Sequence, residues 1–324
     1  MMSVQTVNTT PCKPGFDLTP AMPAHLAVGR ILQNLFDTMQ ANEAGIAEDV
    51  DTECLHNFRI SVRRTRSALA RFKSVLPQQI VQQFRPEFTW LGNVTTPPRD
   101  LDVFLLAFDT YQQALPSCMQ EDLKPYRLLL QHKRHVAQKK LIKHLHSARY
   151  LRLKQQWCET LEQGLSEAFE PTEIAVIALA RKCIGKQFRQ VVRQGAAIDR
   201  HAPAQDLHDL RKSCKKLHYL TGFFRRLYPP REIKALLKQL KRLQNNLGLF
   251  QDLTVQSNTL QALCREMEDA GDLSPASIHA MDVLIDELHK RRRKSRQAFA
   301  RCFKTFAQKK NRRRVKRMLA RAAA

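Results

Sequence analysis

The chain contains L-H-N-F-R-I-S-V-R-R-T-R at residues 55–66 and L-H-D-L-R-K-S-C-K-K-L-H at residues 207–218. Both stretches have the periodicity of an amphipathic helix, in which a histidine (His56 or His208) is followed by cations at helical spacing. Each histidine lies 21 residues before a proline and 44 residues before an aspartate of an Asp-Leu dipeptide. A repeat of about 150 residues therefore organises the chain, and its unit carries the predicted function.

The charge balance of the chain is strongly basic. Its 324 residues include 54 lysines and arginines but only 30 aspartates and glutamates, which gives a formal net charge of +24. A charge of this size disfavours self-association and favours a polyanionic partner. Nucleic acid, an anionic membrane surface and inorganic polyphosphate all have that chemistry, so composition leaves the three open. The length admits two domains or one duplicated domain, and the repeat favours the duplicated domain.

The cysteines and the apolar segments favour a cytoplasmic protein. The eight cysteines are widely spaced and form no C-x-x-C pair, which indicates neither a zinc cage nor a disulfide scaffold. The longest uninterrupted apolar stretch, residues 174–180, has seven residues, whereas a bilayer-spanning helix needs about 20. The N-terminus lacks the apolar core of a secretory signal. We therefore expect no membrane span, no export and a reducing compartment.

The distribution of glycine and proline predicts an all-α fold. The ten glycines and the clustered prolines leave long helical patterns between them, and no convincing run of alternating β-branched residues occurs. We predict mostly antiparallel neighbouring helices, with four or more helices in each half covering one core apiece. The predicted segments are an N-terminal arm (1–23), a duplicated domain (24–306, with halves 24–165 and 171–306) and a basic C-terminal tail (307–324).

Each half contains a predicted series of helices, of which the second carries the histidine motif. The helices predicted in the first half cover residues 26–41, 53–76, 80–92 and 125–146. Those predicted in the second half cover residues 173–194, 206–228, 231–248 and 277–306. Further helices are expected between the third and the last member of each series.

The cations of both histidine helices lie beside the apolar face. At 100° per residue, the first helix carries a stripe of His56, Arg59, Arg63 and Arg66, and the second carries His208, Arg211, Lys215 and His218. No carboxylate lies among the cations of the first stripe, so these like charges repel unless an external anion relieves them. The ordinary alternative is an exposed basic face paired with acids elsewhere in the fold. Recurrence of the pattern at matched offsets favours the anion ligand.

Further cations at helical spacing extend the predicted site. Lys238 and Lys241 lie on the third helix of the second half, and Arg293 and Arg296 lie on its last helix. We predict that these two pairs and both histidine helices line one shared basic groove or channel. The planar fork of arginine can donate two parallel hydrogen bonds to phosphate oxygens, while lysine adds a compact charge. Both residue types therefore suit a phosphate-rich anion.

These motifs resemble the conserved histidine α-helical domain, or CHAD. The resemblance rests on L-H-x-x-R-x-x-x-R-R-x-R with a later R-D-L-D, and on L-H-x-L-R-x-x-x-K-K-L-x-Y in the second half. It covers about residues 24–306 and implies two helical bundles, related by pseudo-twofold symmetry, around a basic channel that binds inorganic polyphosphate. The residues matching the motif are His56, Arg59, Arg63, Arg64, His208, Arg211, Lys215 and Lys216, and Arg66 joins them from the same stripe. The chain departs from the family at His218, where arginine is usual.

We predict a cytoplasmic polyphosphate-binding protein that associates with polyphosphate granules. No P-loop, nucleophile elbow, H-E-x-x-H or E-x-E-x-K motif occurs, so we predict neither catalysis nor a cofactor. Metal binding is disfavoured because the neighbours of His56 and His208 on their helix faces are mainly basic. Asp100, Asp102 and Asp252 offer ligands for Mg²⁺, but they are expected instead to orient arginines or cap helices. The alternative hypothesis is an RNA- or DNA-binding protein that uses the same basic surface and the C-terminal tail, a basic run with few apolar anchors.

Overall fold

The computed structural model describes residues 16–164 and 174–321. Within them the chain forms eleven α-helices, and one isolated β-bridge joins Pro23 to Ala175. The helices are α1 (Ala24–Ala47), α2 (Thr52–Arg71), α3 (Gln78–Val94), α4 (Thr96–Gln112), α5 (Lys124–Leu145), α6 (Ala148–Gly164), α7 (Val176–Ala196), α8 (Ala204–Phe223), α9 (Pro230–Asp269), α10 (Pro275–Ala307) and α11 (Lys309–Arg321). The predicted all-α fold class is confirmed. Across the described residues, no helix combines the length and apolarity that crossing a bilayer requires.

The two histidine helices, α2 and α8, are shorter than predicted. Each ends five residues before the predicted end, α2 at Arg71 and α8 at Phe223. In both halves a proline follows, and the residue that precedes a proline avoids the helical region. Tyr228, for example, is extended before Pro229, with φ −125° and ψ 152°. The chain therefore leaves the helix early, while the cation stripes stay within it.

The third helices of the two halves differ. In the first half α3 and α4 are separate helices that meet at Thr95, whereas α9 is continuous over 40 residues. Pro97 and Pro98 occupy the first turn of α4. Proline is tolerated there because the N–H groups of the first turn have no acceptor within the helix, so its missing N–H costs no hydrogen bond. The second half has no proline at the matching place. Consequently α9 continues past Gly248, and the predicted end of the helix at that glycine is wrong.

Among the described residues the hydrophobic core forms two clusters, and each draws on both halves. The larger cluster joins α1, α2, α3 and α6 to α7, α8 and parts of α9, α10 and α11. The smaller cluster packs α4 and α5 against the last part of α9 and the first part of α10. In the larger cluster the ring centroid of Phe72 lies 5.9 Å from that of Phe223 and 5.6 Å from that of Phe224. One core for each half was therefore a wrong expectation, because apolar helix faces pack wherever they meet, regardless of sequence order.

The segment that precedes α1 packs on the domain. Phe16 and Leu18 are buried, and the ring centroid of Phe16 lies 5.9 Å from that of Phe223 at the end of α8. Residues 16–23 of the predicted arm are thus in contact with the second half. Residues 1–15 lie outside the described residues, so the remainder of the predicted arm stays a prediction.

The predicted C-terminal tail contains a docked helix. α11 buries Asn311, Val315 and Met318 against the end of the domain. The sequence predicted few anchors in this segment, yet two apolar side chains one turn apart are enough to give the helix a buried face. Residues 165–173, where the predicted boundary between the halves falls, and residues 322–324 lie outside the described residues.

Candidate anion-binding site

The histidine helices α2 and α8 meet, and their cations come together at the crossing. The ring of Tyr219 on α8 lies 5.9 Å from the guanidinium carbons of both Arg63 and Arg64 on α2. A cation at this distance over an aromatic face is attracted by the quadrupole of the ring. Beneath the cations, Phe58 and Leu217 bury the apolar faces of the two helices in the larger core. Two motifs that are distant in sequence are therefore held at one place.

Arg59 is held at the crossing by neutral oxygen atoms. Its Nη1 donates hydrogen bonds to the carbonyl of Gly92 at 3.3 Å and to the hydroxyls of Thr95 and Thr96, each at 3.0 Å. Burial lowers the pKa of the guanidinium to about 10, and the negative charge of Asp100 opposes this shift. Arg59 therefore stays charged at neutral pH. No carboxylate of the described residues accepts a hydrogen bond from it, so its charge remains available to an anion.

Lys215 on α8 is the second partly buried cation of the site. Burial lowers the pKa of its amine from the ordinary 10.5 to about 7, and the charges of Arg63 and Arg211 act in the same direction. The carboxylate of Asp252 opposes the shift. The amine therefore exchanges its proton near neutral pH, first because burial disfavours its charged form and second because its surroundings are positive. An anion that enters the site would favour the protonated amine.

Two aspartates from matched positions of the repeat lie at the same site. Nη2 of Arg211 donates a hydrogen bond to Oδ1 of Asp252 at 3.2 Å. Partial burial raises the pKa of Asp252, although the charges of Arg211 and Lys215 oppose this shift. Burial likewise raises the pKa of Asp100, and the charge of Asp252 adds to that shift. The two carboxylates are therefore close enough to interact, with cations from both halves around them.

Two histidines near the crossing favour the neutral form. Burial, followed by the charge of Arg99, lowers the pKa of His56. Burial, followed by nearby cations, lowers the pKa of His218 to about 4. Nδ1 of His208 lies 2.8 Å from Oε1 of Gln251, a contact that orients this ring. In the part of the chain that the structure describes, no three His, Cys, Asp or Glu side chains form a group that could hold a metal ion.

Arg66 and Lys216 lie at the periphery of the crossing. A Cβ atom added to Gly92 would lie 2.8 Å from Nη1 of Arg66, so this guanidinium covers the surface of α3. Burial lowers the pKa of Arg66, and the neighbouring charge of Arg85 adds to the shift. Lys216 lies beside Arg71, whose charge adds to the lowering of its pKa by burial. On α8 it is about 100° away from Lys215. The structure therefore separates the two adjacent lysines of the second motif.

The predicted cations of α9 and α10 lie farther out. Both lysines of α9 are exposed, and Lys241 is close enough to His218 to contribute to the low pKa of that imidazole. Arg293 and Arg296 line a separate cavity of about 500 Å³ beside the connection between α7 and α8. Nη2 of Arg296 donates to two backbone carbonyls of that connection. Arg296 thus helps to hold this loop, and the participation of both pairs in one shared groove stays a prediction.

Arg99 and two threonines belong to the site although the sequence did not single them out. Nη1 of Arg99 donates to a backbone carbonyl at the start of α2 at 3.2 Å, and its charge acts on His56 and Asp100. The available signal was the R-D-L-D string, in which Arg99 directly precedes the matched aspartate. Thr95 and Thr96 gave no signal, because neutral hydroxyls leave no pattern of charge in the sequence.

Asp102 orients an arginine, as the sequence predicted. Oδ1 of this buried side chain accepts a hydrogen bond from Nε of Arg134 at 3.0 Å. Arg134 also pairs with Asp49, and that hydrogen bond raises the pKa of the guanidinium. The arrangement ties α4 to α5 and to the end of α1. It thereby fixes the position of α4, the helix that carries Arg99 and Asp100.

The fold and the site define a class of all-α proteins in which two histidine helices, each from one copy of a repeat, join their cations at a crossing. The family model of the CHAD domain matches residues 30–261, which is more than half of the chain. The chain belongs to the CHAD domain family.

Two solved structures have the same fold. The crystal structure of the CHAD domain from the plant Ricinus communis aligns with a TM-score of 0.76 and 24% identity, over 91% of this chain and 96% of that chain. PptA from Streptomyces chartreusis aligns with a TM-score of 0.66 and 15% identity, over 87% of this chain and 100% of that chain. No curated protein matches the sequence significantly. The structural likeness therefore concerns the fold, and the sequence match supplies the family.

Proposed function

We propose that the chain binds inorganic polyphosphate at the crossing of α2 and α8. The observation that carries the proposal is the surplus of positive charge there. Among the described residues, no carboxylate pairs directly with Arg59, Arg63 or Lys215, although their charges act on one another. Like charges gathered at one place repel, and an entering polyanion relieves that repulsion. Membership of the CHAD family, which implies this polymer by resemblance, supports polyphosphate as the ligand.

The donors of the site suit phosphate oxygens. The hydrogen bonds of Arg59 to described residues all use Nη1, and a guanidinium has five N–H donors in a planar fork. Arg63 is exposed and presents its charge at the mouth of the crossing. Lys215 takes up a proton as the anion approaches, since its pKa of about 7 rises when positive surroundings are compensated. A linear polymer can contact cations of both halves at once.

We further propose that the chain binds polyphosphate without cleaving it, and that it does so in the cytoplasm at polyphosphate granules. The support is the chemistry of the crossing, where arginine and lysine side chains predominate and charge neutralisation is the expected effect on a phosphate chain. Incubation of the purified chain with long polyphosphate and Mg²⁺ or Mn²⁺ should release no orthophosphate. Steady release that depends on the crossing would contradict this part of the proposal.

Charge reversal at the crossing tests the proposal. Replacing Arg59, Arg63, Arg211 and Lys215 together by Glu should abolish binding of long polyphosphate, measured by titration calorimetry. A milder variant, Arg63→Glu with Arg211→Glu, avoids the two more deeply buried cations and should lower affinity by at least tenfold. Circular dichroism should give wild-type helicity for the milder variant. Retention of wild-type affinity by that folded variant would overturn the site.

A matched control separates local charge from total charge. The control residues are all exposed and lie on α5, α6 and α10, not on the two histidine helices: Lys139, Lys143, Arg152 and Lys290. Reversing all four changes the net charge as much as the quadruple variant does, yet should leave polyphosphate affinity within about threefold of wild type at physiological salt, because exposed charges are screened. The logarithm of the binding constant should also fall linearly with the logarithm of the salt concentration. A flat salt dependence would contradict electrostatic binding.

Competition distinguishes polyphosphate from nucleic acid, which is the alternative partner. Labelled polyphosphate bound to the wild-type chain should resist displacement by duplex DNA or single-stranded RNA at equal phosphate concentration. Stacking platforms for bases usually consist of exposed aromatic rings, and the exposed large apolar side chains of the described residues include none. Displacement by nucleic acid at equal or lower phosphate concentration would favour the alternative.

A further inference from the structure

Helix α11 presents a strip of cations on the side opposite its buried face. The strip consists of Lys310, Arg313, Lys316 and Arg317, which line an open concavity of about 490 Å³. At 100° per residue these four positions fall within about 120° of the helix circumference, opposite the buried residues Val315 and Met318. The strip is about 10 Å long along the helix axis. Docking of the apolar face therefore fixes the direction in which the cations point.

The four cations of the strip have no partner within the part of the chain that the structure describes. The ion pair of this helix joins Arg321 to Glu232 at 3.6 Å, and Nε of Arg312 donates to the carbonyl of Ala307 at 2.7 Å. Both contacts lie outside the strip. α11 contains no acidic residue, so like charges at positions i, i+3 and i+4 destabilise the isolated helix. The strip therefore has the uncompensated charge that an anion would relieve.

The strip and the crossing lie on different sides of α9. α11 packs on the face of α9 that carries Leu236 and Gln239. Around α9, Lys241 lies about 140° from Leu236 and about 160° from Gln239, which is the opposite face of the helix. Lys241 acts on His218 at the crossing. The width of α9 therefore separates the strip from the first site.

We infer that α11 is a second docking surface for polyphosphate, so that one chain can hold two stretches of polymer and cross-link them. This inference rests on the proposed function of the crossing, because it assigns the same polymer to both surfaces. Two separate sites on one protein raise the avidity for long chains and join different chains at high occupancy. Cross-linking of this kind predicts that the protein condenses long polyphosphate, whereas it leaves short polyphosphate dispersed.

Other polyanions fit the strip less well. An anionic membrane would bind an amphipathic basic helix by taking up its apolar face, but here Val315 and Met318 are buried in the protein. Single-stranded nucleic acid is usually held by aromatic stacking as well as by charge, and α11 contains no aromatic residue. A narrow straight row of cations without base-reading groups suits a linear chain of phosphates.

The test compares three variants with the wild type. In the strip variant, Lys310, Arg313, Lys316 and Arg317 are replaced by Gln. The crossing variant carries Arg63→Glu and Arg211→Glu, and the control variant carries Gln at Lys139, Lys143, Arg152 and Lys290. Short polyphosphate, no longer than the strip, should bind to the wild type and the control variant at two equivalents per chain. It should bind to the strip variant at one equivalent. With long polyphosphate, the wild type and the control variant should become turbid, whereas the strip variant should stay clear.

The outcomes separate this inference from the proposed function. Two equivalents and undiminished turbidity for the strip variant would overturn the inference and leave the crossing intact as a site. One equivalent on the crossing variant supports both sites. Binding of two equivalents by the crossing variant would overturn the proposed function. Binding of only one equivalent by the strip variant would in that case still support a site on α11. Displacement of short polyphosphate from the crossing variant by duplex DNA at equal phosphate concentration would overturn polyphosphate as the occupant of the strip.

Discussion

The two histidine helices carry the same motif but hold their first arginine differently. Arg59 on α2 donates to a carbonyl and two hydroxyls, and it keeps its full charge. Arg211 on α8 donates to the carboxylate of Asp252, which offsets part of its charge. At the next matched position α2 carries the exposed Arg63, whereas α8 carries Lys215, whose pKa is lowered to about 7.

This difference gives the positive charges of the two halves a different dependence on pH. The first half supplies charge that does not vary with pH in the physiological range, since both of its cations are guanidinium groups. The second half supplies charge that depends on pH through Lys215 and on the neighbouring carboxylate of Asp252. A repeat that keeps its residue types in register can therefore diverge in function through the partners that surround each position.

The largest expected effect comes from breaking the contact that joins the two helices. Phe72 and Phe224 each lie 16 residues after a motif histidine, both are fully buried, and their ring centroids are 5.6 Å apart. Phe72→Ala or Phe224→Ala should each lower the free energy of unfolding by about 3–5 kcal/mol, measured by urea denaturation. The double variant should lose less than the sum, by at least about 0.5 kcal/mol, because the rings share a contact.

Additive losses in the double variant would contradict direct packing of α2 against α8 at this point. If either alanine variant fails to fold, Phe72→Leu and Phe224→Leu preserve most of the apolar volume and allow the same cycle. A matched comparison is Phe108→Ala in the smaller core cluster. It should also destabilise the protein. Its loss should add to that of Phe72→Ala, since the free-energy changes of substitutions in separate clusters are usually additive.

The sequence predicted the helices and the cation stripes better than it predicted how the stripes combine. Periodicity determines which face of its own helix a side chain occupies, so Arg59 and Lys215 were identified from spacing alone. The crossing of α2 and α8 depends on packing between helices, and spacing carries no information about it. The family motif grouped Lys216 with Lys215, although the two lie about 100° apart on α8, and the sequence missed the acceptors Thr95 and Thr96 at the α3–α4 junction.

The second effect sharpens the comparison through pH. Lys215 is faced by Arg59 and Arg63 from α2, by Arg211 from α8 and by Asp252 from α9. Bound polyphosphate should raise the pKa of its amine from about 7, so binding takes up a proton above that pH. Affinity should therefore fall by up to about tenfold between pH 6 and pH 8, and calorimetry in buffers of different ionisation enthalpy should report the proton uptake.

Lys215→Arg is the control for this pH dependence, because arginine keeps its charge throughout. The variant should bind polyphosphate equally well at pH 6 and pH 8. The pKa of Lys215 is about 7 in the free folded protein and takes its ordinary value of 10.5 in the unfolded chain. Between these two pH values the unfolded chain binds more protons than the folded chain. Stability should therefore rise with pH across this window, and Lys215→Met should remove part of the rise. An unchanged pH profile in both variants would show that another group titrates.

The smallest expected effect makes the second half resemble the first. Asp252→Asn removes the carboxylate that partly neutralises Arg211 while it keeps an oxygen that can accept a hydrogen bond. Affinity for polyphosphate should rise by about threefold at low salt, and the gain should shrink at high salt, because the interaction is partly exposed and screened. Asp269→Asn is the matched control on α9, since Asp269 is exposed at the end of that helix, about 25 Å along its axis from Asp252. A loss of affinity in Asp252→Asn would instead mean that the carboxylate must orient Arg211 for phosphate, and the two halves would then contribute through geometry as much as through charge.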